Sequence, residues 1–203
     1  MTRELYIFDF DDTLVSSGSN IRILDPSGEI VRTMTSEEFA DPSHASQITD
    51  DERRDGFEED FGEFDVYPPD GVTLPAFGTF QSALGTAQSG DVVVLSARRE
   101  AAPMADFLAD NGGGGAVMVP VNGTAPVLKA SYVKRRLEEA DPPFTKVYVW
   151  EDSAKNINAI EAMVTSQFPD VEFEGHHVAK QNEHVLRKMI RLMVESIYGQ
   201  RNY

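Results

Sequence analysis

Four short apolar runs, each ending abruptly in a polar residue or a proline, constrain the fold of this 203-residue chain more than any other feature. Leu5-Tyr6-Ile7-Phe8 runs into Asp9, and Val92-Val93-Val94-Leu95 into Ser96. Ala116-Val117-Met118-Val119 runs into Pro120, and Val147-Tyr148-Val149-Trp150 into Glu151-Asp152. Unbroken β-branched and aromatic runs suit strands covered on both faces, as in a parallel sheet. Helical stretches lie between and after them. Residues 79–87 precede the second run. Residues 100–111 place Ala102, Ala105, Phe107 and Leu108 on the apolar side and stop at Gly112. Residues 127–140 carry Val133 and Leu137 and end at Asp141-Pro142-Pro143, and residues 154–164 carry Ile157, Ile160 and Met163. A last stretch, 183–198, repeats Leu186, Met189, Ile190, Met193, Val194 and Ile197 at helical spacing. Alternation of this kind predicts an open α/β sheet with helices on its faces. Such sheets bind ligands at the carboxyl ends of their strands, which is where Asp9, Ser96 and Asp152 fall.

Residues 16–70 break the alternation. Ile21 to Leu24 and Glu29 to Met34 flank Asp25-Pro26-Ser27-Gly28, which predicts a β-hairpin. Residues 41–65 are acidic and turn-rich. Phe57, Phe61 and Phe64, at i, i+4 and i+7, predict one face of a short helix. They either anchor a solvated segment to the core or line a substrate pocket. Residues 50–65 carry nine acidic and two basic residues, which reads as a solvated face or a docking segment for a basic partner. His176-His177 would point to opposite faces of a strand, a poor metal pair, so both read as structural. Gly112–Gly115 is not followed by Gly-Lys-Ser/Thr, so it is a helix stop rather than a phosphate loop.

Charge and cysteine content narrow the function classes. Lys+Arg is 18 against 34 Asp+Glu, a formal net charge of −16, so long duplex nucleic acid and anionic membranes are not expected partners. The chain has no cysteine, which removes thiol nucleophiles, thiolate metal sites and disulfides. The first fifteen residues lack the apolar core of a secretory signal, and no run approaches the ~20 apolar residues of a membrane span. The expectation is a soluble, cytoplasmic protein.

The strongest local signal is Asp9-Phe10-Asp11-Asp12-Thr13-Leu14, directly after the first strand. Ser96 ends a second strand, Lys129 sits near a helix start, and Glu151-Asp152 ends another strand, in that order. Together they resemble the four motifs of the haloacid dehalogenase-like (HAD) superfamily over residues 5–156. The resemblance implies a Rossmann-like core from residues 1–15 and 71–203, interrupted by a small cap insertion at 16–70. It implies Mg²⁺ held by a side-chain oxygen of Asp9, the backbone carbonyl of Asp11, and Asp152, with Glu151 as the competing ligand. Lys129, rather than Lys134 five residues on, is the expected third-motif lysine, because ~140° of helical turn separates the two. The string Leu95-Ser96-Ala97-Arg98 resembles the second-motif region of HAD polynucleotide 3′-phosphatases, so Ser96, Ala97, Arg98 and Lys129 are expected to bind the substrate phosphate. A structural ion pair is the other reading of Arg98. Arg22 and Arg32 would extend a basic surface over the site.

Elementary chemistry supports the same assignment. An ordinary aspartate ionises near pH ~3.9, so Asp9 could attack phosphorus and form an aspartyl-phosphate. Asp11 could protonate the leaving oxygen and then take a proton from the hydrolytic water. Asp9, Asp152 and a phosphate would repel by ~4 kcal/mol per pair at 4 Å, which a hard divalent ion relieves. Ser96 and Lys129 would hold the remaining phosphate oxygens. Asn156 either steadies the Asp152 loop or a metal-bound water. Asp12 and Thr13 are expected to shape the loop rather than react. Asp11 favours a phosphatase over a dehalogenase, because by the resemblance the dehalogenase branch lacks the second aspartate. The expected activity is Mg²⁺-dependent phosphomonoester hydrolysis, with a nucleotide or polynucleotide terminal phosphate as first substrate. A phosphotransferase to a non-water acceptor, or a non-catalytic binding or scaffold protein, are the alternatives.

Overall fold

The structure, a computed structural model, describes residues 3–40 and 43–178. The helix expected at 183–198 lies outside the described residues. In chain order the first elements are β1 (Glu4–Phe8), β2 (Val15–Ser16), β3 (Ile21–Leu24), β4 (Ile30–Met34), α1 (Ser36–Ala40), α2 (Asp50–Arg54), β5 (Glu58–Asp60), a 3-10 turn (Gly62–Asp65) and β6 (Val72–Thr73). There follow α3 (Ala76–Thr86), β7 (Val92–Ser96), α4 (Ala102–Asp110), β8 (Val117–Pro120), α5 (Pro126–Glu138), β9 (Lys146–Glu151), α6 (Ala154–Gln167) and β10 (Glu172–His177).

Five strands form one sheet in the order β10-β9-β1-β7-β8, with every neighbouring pair parallel. The period-2 geometry of a strand divides its side chains between two cores. Leu5, Ile7, Val93, Leu95, Val147 and Val149 face Val133 and Leu137 of α5 and Ile160 and Val164 of α6. Phe8, Val92 and Val94 face Phe77 and Phe80 of α3 and Met104, Phe107 and Leu108 of α4. This is a Rossmann-like α/β layering, and it explains why β7 is buried along its whole length. Each fully buried Val, Leu or Phe contributes roughly 1.5–3 kcal/mol. Local signals set the helix ends. Pro126 occupies the first turn of α5, where a missing N–H costs nothing. Gly112 ends α4 with φ +77°, a conformation open to glycine.

The chain leaves the core through β2 and returns through β6, which pair antiparallel and pin the two ends of the intervening segment together. Within that segment β3 sits between β4 and β5, antiparallel to both. Ile21, Ile23, Met34 and Ile48 form its small buried core. The expected short helix through Phe57, Phe61 and Phe64 is not what forms. Glu58–Asp60 is an edge strand on β3, and Phe61 and Phe64 flank and enter the 3-10 turn. The chain bends after β5, and Phe57, Phe61 and Phe64 all return to the Ile21 core. The acidic stretch is largely paired: Glu52 with Arg32, Glu59 with Arg53, and Asp60 and Glu63 with Arg22. Among the described residues no helix is long and apolar enough to cross a membrane.

Candidate active site

β1, β7 and β9 end side by side because their registers align Phe8 with Val94 and with Trp150. The residue following β1 is Asp9, the last of β7 is Ser96, and the last of β9 is Glu151. Asp9, Asp11, Ser96, Ala97, Lys129 and Asp152 all line a single cavity of about 790 Å³ at this rim.

Lys129 enters from α5. Lys129, Val133 and Leu137 recur every four residues and share the buried stripe of that helix, so the lysine continues an apolar stripe to the rim of the sheet. Its ammonium lies 2.6 Å from Asp9 Oδ1 and 2.6 Å from Glu151 Oε2, and the three residues are 4%, 6% and 2% exposed. Lys134 points elsewhere and pairs with Glu138 along the helix surface. Burial alone would lower the lysine's affinity for its proton, but the Asp9 and Glu151 charges outweigh it and hold the group firmly protonated. Burial, and then the charge of Glu151, push Asp9 up to about 7, against the pull of Lys129. Glu151 is raised for the same reason, burial first, with Lys129 opposing. Its carboxylate also accepts from the Ser153 backbone N–H and interacts with the Asn156 amide, so Asn156 steadies the loop after β9.

Asp9, Glu151 and Asp152 each offer an oxygen within 4.8 Å of the others. Three carboxylates and one ammonium leave a formal charge of −2 in a largely buried space. An all-oxygen donor set with that residual charge fits a hard divalent cation. Glu151 is bound up with Lys129, whereas Asp152 lies half-buried on the cavity wall.

A pH dependence follows from Asp9. Its folded value, about 7, lies above the ordinary 3.8. The stability it contributes is therefore complete below pH ~4 and is lost as pH rises through 7, on the order of 2–4 kcal/mol. Groups held low, such as Glu52 at about 2, act only at more acidic pH. The metal-free protein should melt progressively lower between pH 5 and 8. Asp9→Asn should flatten that slope, and a thermal melt series in EDTA measures both. Parallel slopes for the two proteins would contradict the assignment.

Asp11 is held differently. Its carboxylate accepts from Arg98 Nε at 2.8 Å and Nη2 at 2.7 Å, and from Ser17 Oγ at 2.8 Å. Arg98 Nη1 donates to the carbonyls of Phe64 and Val66, and the guanidinium lies between the Phe10 and Phe64 rings at 4.9 and 5.5 Å. Arg98 is 3% exposed, so its structural-pair reading describes what is seen: it bolts the inserted segment to the Asp11 loop. Its backbone N–H donates to Ser96 Oγ at 3.2 Å, leaving the serine proton able to face the cavity. The expected basic surface from Arg22 and Arg32 is absent, because Asp60, Glu63 and Glu52 neutralise those two arginines. Thr13 is fully buried and its hydroxyl meets no partner among the described residues, so it supports the loop by packing. Asp12 takes φ +58°, turning the chain sharply after β1.

His176 stacks on Trp150 with ring centroids 4.6 Å apart, a structural role. His177 Nε2 lies 2.8 Å from the Asp152 carbonyl and braces that loop, which the sequence reading did not foresee. Also unforeseen were Ser17, Phe39 and the 122–125 loop after β8, all at or beside the cavity. The loop was findable, since it follows a strand's carboxyl end like the other site segments.

No family model and no curated protein matches the chain. Among solved structures, the Legionella pneumophila effector Ceg4 superposes with a TM-score of 0.50 at 14% identity, over 90% of this chain and 89% of that one. A haloacid dehalogenase-like family hydrolase from Streptococcus pneumoniae superposes with a TM-score of 0.45 at 10% identity, over 93% and 98%. At such identities the Ceg4 likeness is one of fold.

Proposed function

We propose that this chain is a HAD-like phosphatase that hydrolyses phosphomonoesters through an aspartyl-phosphate on Asp9, with Mg²⁺ as cofactor. The observation that carries this reading is the buried Asp9–Lys129–Glu151 triad at the carboxyl rim of a parallel sheet, with Ser96 and Asp152 on the same cavity wall.

Asp9 is the nucleophile. Its attack on phosphorus expels the ester oxygen in line and leaves a phosphoryl group on the carboxylate. Lys129 is placed to offset the charge that gathers on the phosphoryl oxygens, because its ammonium already touches the attacking carboxylate. The Ser96 hydroxyl, with the backbone N–H of Ala97, supplies further donors at the end of β7. Asp11 delivers a proton to the leaving oxygen, then takes one from the water that cleaves the acyl phosphate. For this the Arg98 and Ser17 contacts to its carboxylate must open, so substrate entry and movement of the 62–66 turn are linked. Asp9, Asp152 and the Asp11 carbonyl would hold Mg²⁺, which when bound neutralises phosphate charge and favours ionised Asp9. The 16–70 insertion acts as a cap that covers the site and excludes water during the first step.

A nucleotide monophosphate fits this class. A long polynucleotide fits less well, because Arg22, Arg32, Arg98 and Arg99 each already face a carboxylate. The test is p-nitrophenyl phosphate hydrolysis by the full chain. Phosphate release should require Mg²⁺ and disappear, by about a hundredfold or more, in EDTA. Release that is indifferent to the metal would remove the reading. A protein that binds Mg²⁺ yet releases no phosphate from any monoester would favour the scaffold alternative.

A further inference from the structure

The cavity has two unlike walls. The sheet side is the charged cluster already described. The inserted segment supplies the other, where Ile21, Phe39, Phe61 and Phe64 present apolar surface to the same space. The three phenylalanines are only half-buried, although each packs from behind on the Ile21–Ile23–Met34–Ile48 core. Their rings do not collapse onto one another in a stack. Phe39 meets Phe61 edge-on at 5.3 Å and 86°, and Phe61 meets Phe64 at 6.4 Å and 54°. Phe64 also rests 5.5 Å from the Arg98 guanidinium while Arg98 is paired with Asp11. The result is a braced wall of ring faces and edges, opposite carboxylates and an ammonium, in a cavity large enough for a small-molecule ligand.

Charge narrows what can sit against that wall. Among the described residues, three of the four cations that line the cavity are engaged, Lys129 with Asp9 and Glu151, Arg98 with Asp11, and Arg99 with Asp65; the fourth, Lys155, is exposed on the first turn of α6. Asp12 and Asp65 also line the space. The described lining holds six carboxylates against four cations, so a second phosphate or a carboxylate on the leaving group would meet net negative charge. An uncharged flat ring would instead bury the exposed phenylalanine surface and make edge-to-face contacts.

We infer that the Phe39–Phe61–Phe64 wall selects phosphomonoesters whose leaving alcohol carries an uncharged aromatic ring, with Phe61 at the centre of the contact. This rests on the phosphatase reading for its chemistry but not for its binding. The ring could belong to an arylalkyl alcohol or to a nucleobase, so both sources are assayed. Benzyl, cyclohexylmethyl and methyl phosphate have alcohol leaving groups of similar basicity, so differences among them report binding of the group.

Benzyl phosphate should exceed methyl phosphate in kcat/KM by about tenfold or more, and cyclohexylmethyl phosphate by a few fold. Adenosine 5′-monophosphate in the same series tells whether a base serves as the ring. Benzylphosphonate should bind at least about tenfold more tightly than methylphosphonate by calorimetry, a readout that needs no turnover. Phe61→Ala should reduce both ratios by about tenfold, and Phe61→Leu, which preserves cap packing, should reduce them less. Equal kcat/KM for benzyl and methyl phosphate, or equal affinity for the two phosphonates, overturns the inference and leaves the phosphatase reading standing. Tight benzylphosphonate binding that Phe61→Ala weakens, with no ester hydrolysed, supports the wall and overturns the phosphatase reading.

Discussion

Asp9→Asn should abolish Mg²⁺-dependent phosphate release from p-nitrophenyl phosphate, with a fall of at least about 10⁴-fold. The amide nearly matches the carboxylate in size but carries no charge with which to attack phosphorus. The fold should survive the change. Asp9 is buried against Lys129, yet Lys129 keeps Glu151 at 2.6 Å, so no charge is stranded. Removing one carboxylate from a cluster of three even relieves repulsion, so the metal-free variant should melt at or above the wild-type temperature near pH 8. Loss of activity with retained or raised stability marks a reacting group. Undiminished release by the variant would show that the nucleophile lies elsewhere.

Lys129→Met should have the largest effect on stability. The substitution keeps the length of the side chain and its packing beside Val133, but it strands Asp9 and Glu151 face to face in a nearly dry space. Breaking a buried ion pair from one side costs about 3–5 kcal/mol. For a chain of this size that is a melting decrease of about 10 °C or more in EDTA. Two rescues identify the cause. Mg²⁺ should recover part of the loss by replacing the missing positive charge. The double variant Lys129→Met/Glu151→Gln should also recover part of it, because one stranded charge is removed. A melting temperature unchanged by Lys129→Met would mean the ammonium compensates nothing. Catalysis should fall in the variant even where Mg²⁺ restores folding.

The core of the fold was legible because its causes are local and strong. Runs such as Val92–Leu95 have no polar alternation, so they suit a strand covered on both sides, and β7 is buried throughout. The inserted segment was harder. Phe57, Phe61 and Phe64 satisfy a helical period, yet Glu58–Asp60 extends along β3 instead. The hydrogen bonds offered by the open edge of that hairpin outweigh the weak helix preference of a short acidic stretch. His177 was read as structural because adjacent strand residues diverge. Its contact with the Asp152 carbonyl depends on β10 lying beside β9, which no local pattern reveals.

Residue chemistry in the sequence determined which groups could react: Asp9 and Asp11 after one strand, Ser96 after another, Glu151 and Asp152 after a third, and one lysine on an apolar helical stripe. Tertiary structure alone decided how they are partnered. It gave Lys129 to both Asp9 and Glu151, tied Arg98 to Asp11 rather than leaving it open to solvent, and turned three phenylalanines of the insertion toward the cavity. The physical reason is range. Hydrophobic periodicity acts between residues a few positions apart, whereas a salt bridge between positions 9 and 129 exists only once α5 has packed on the sheet beside the end of β1.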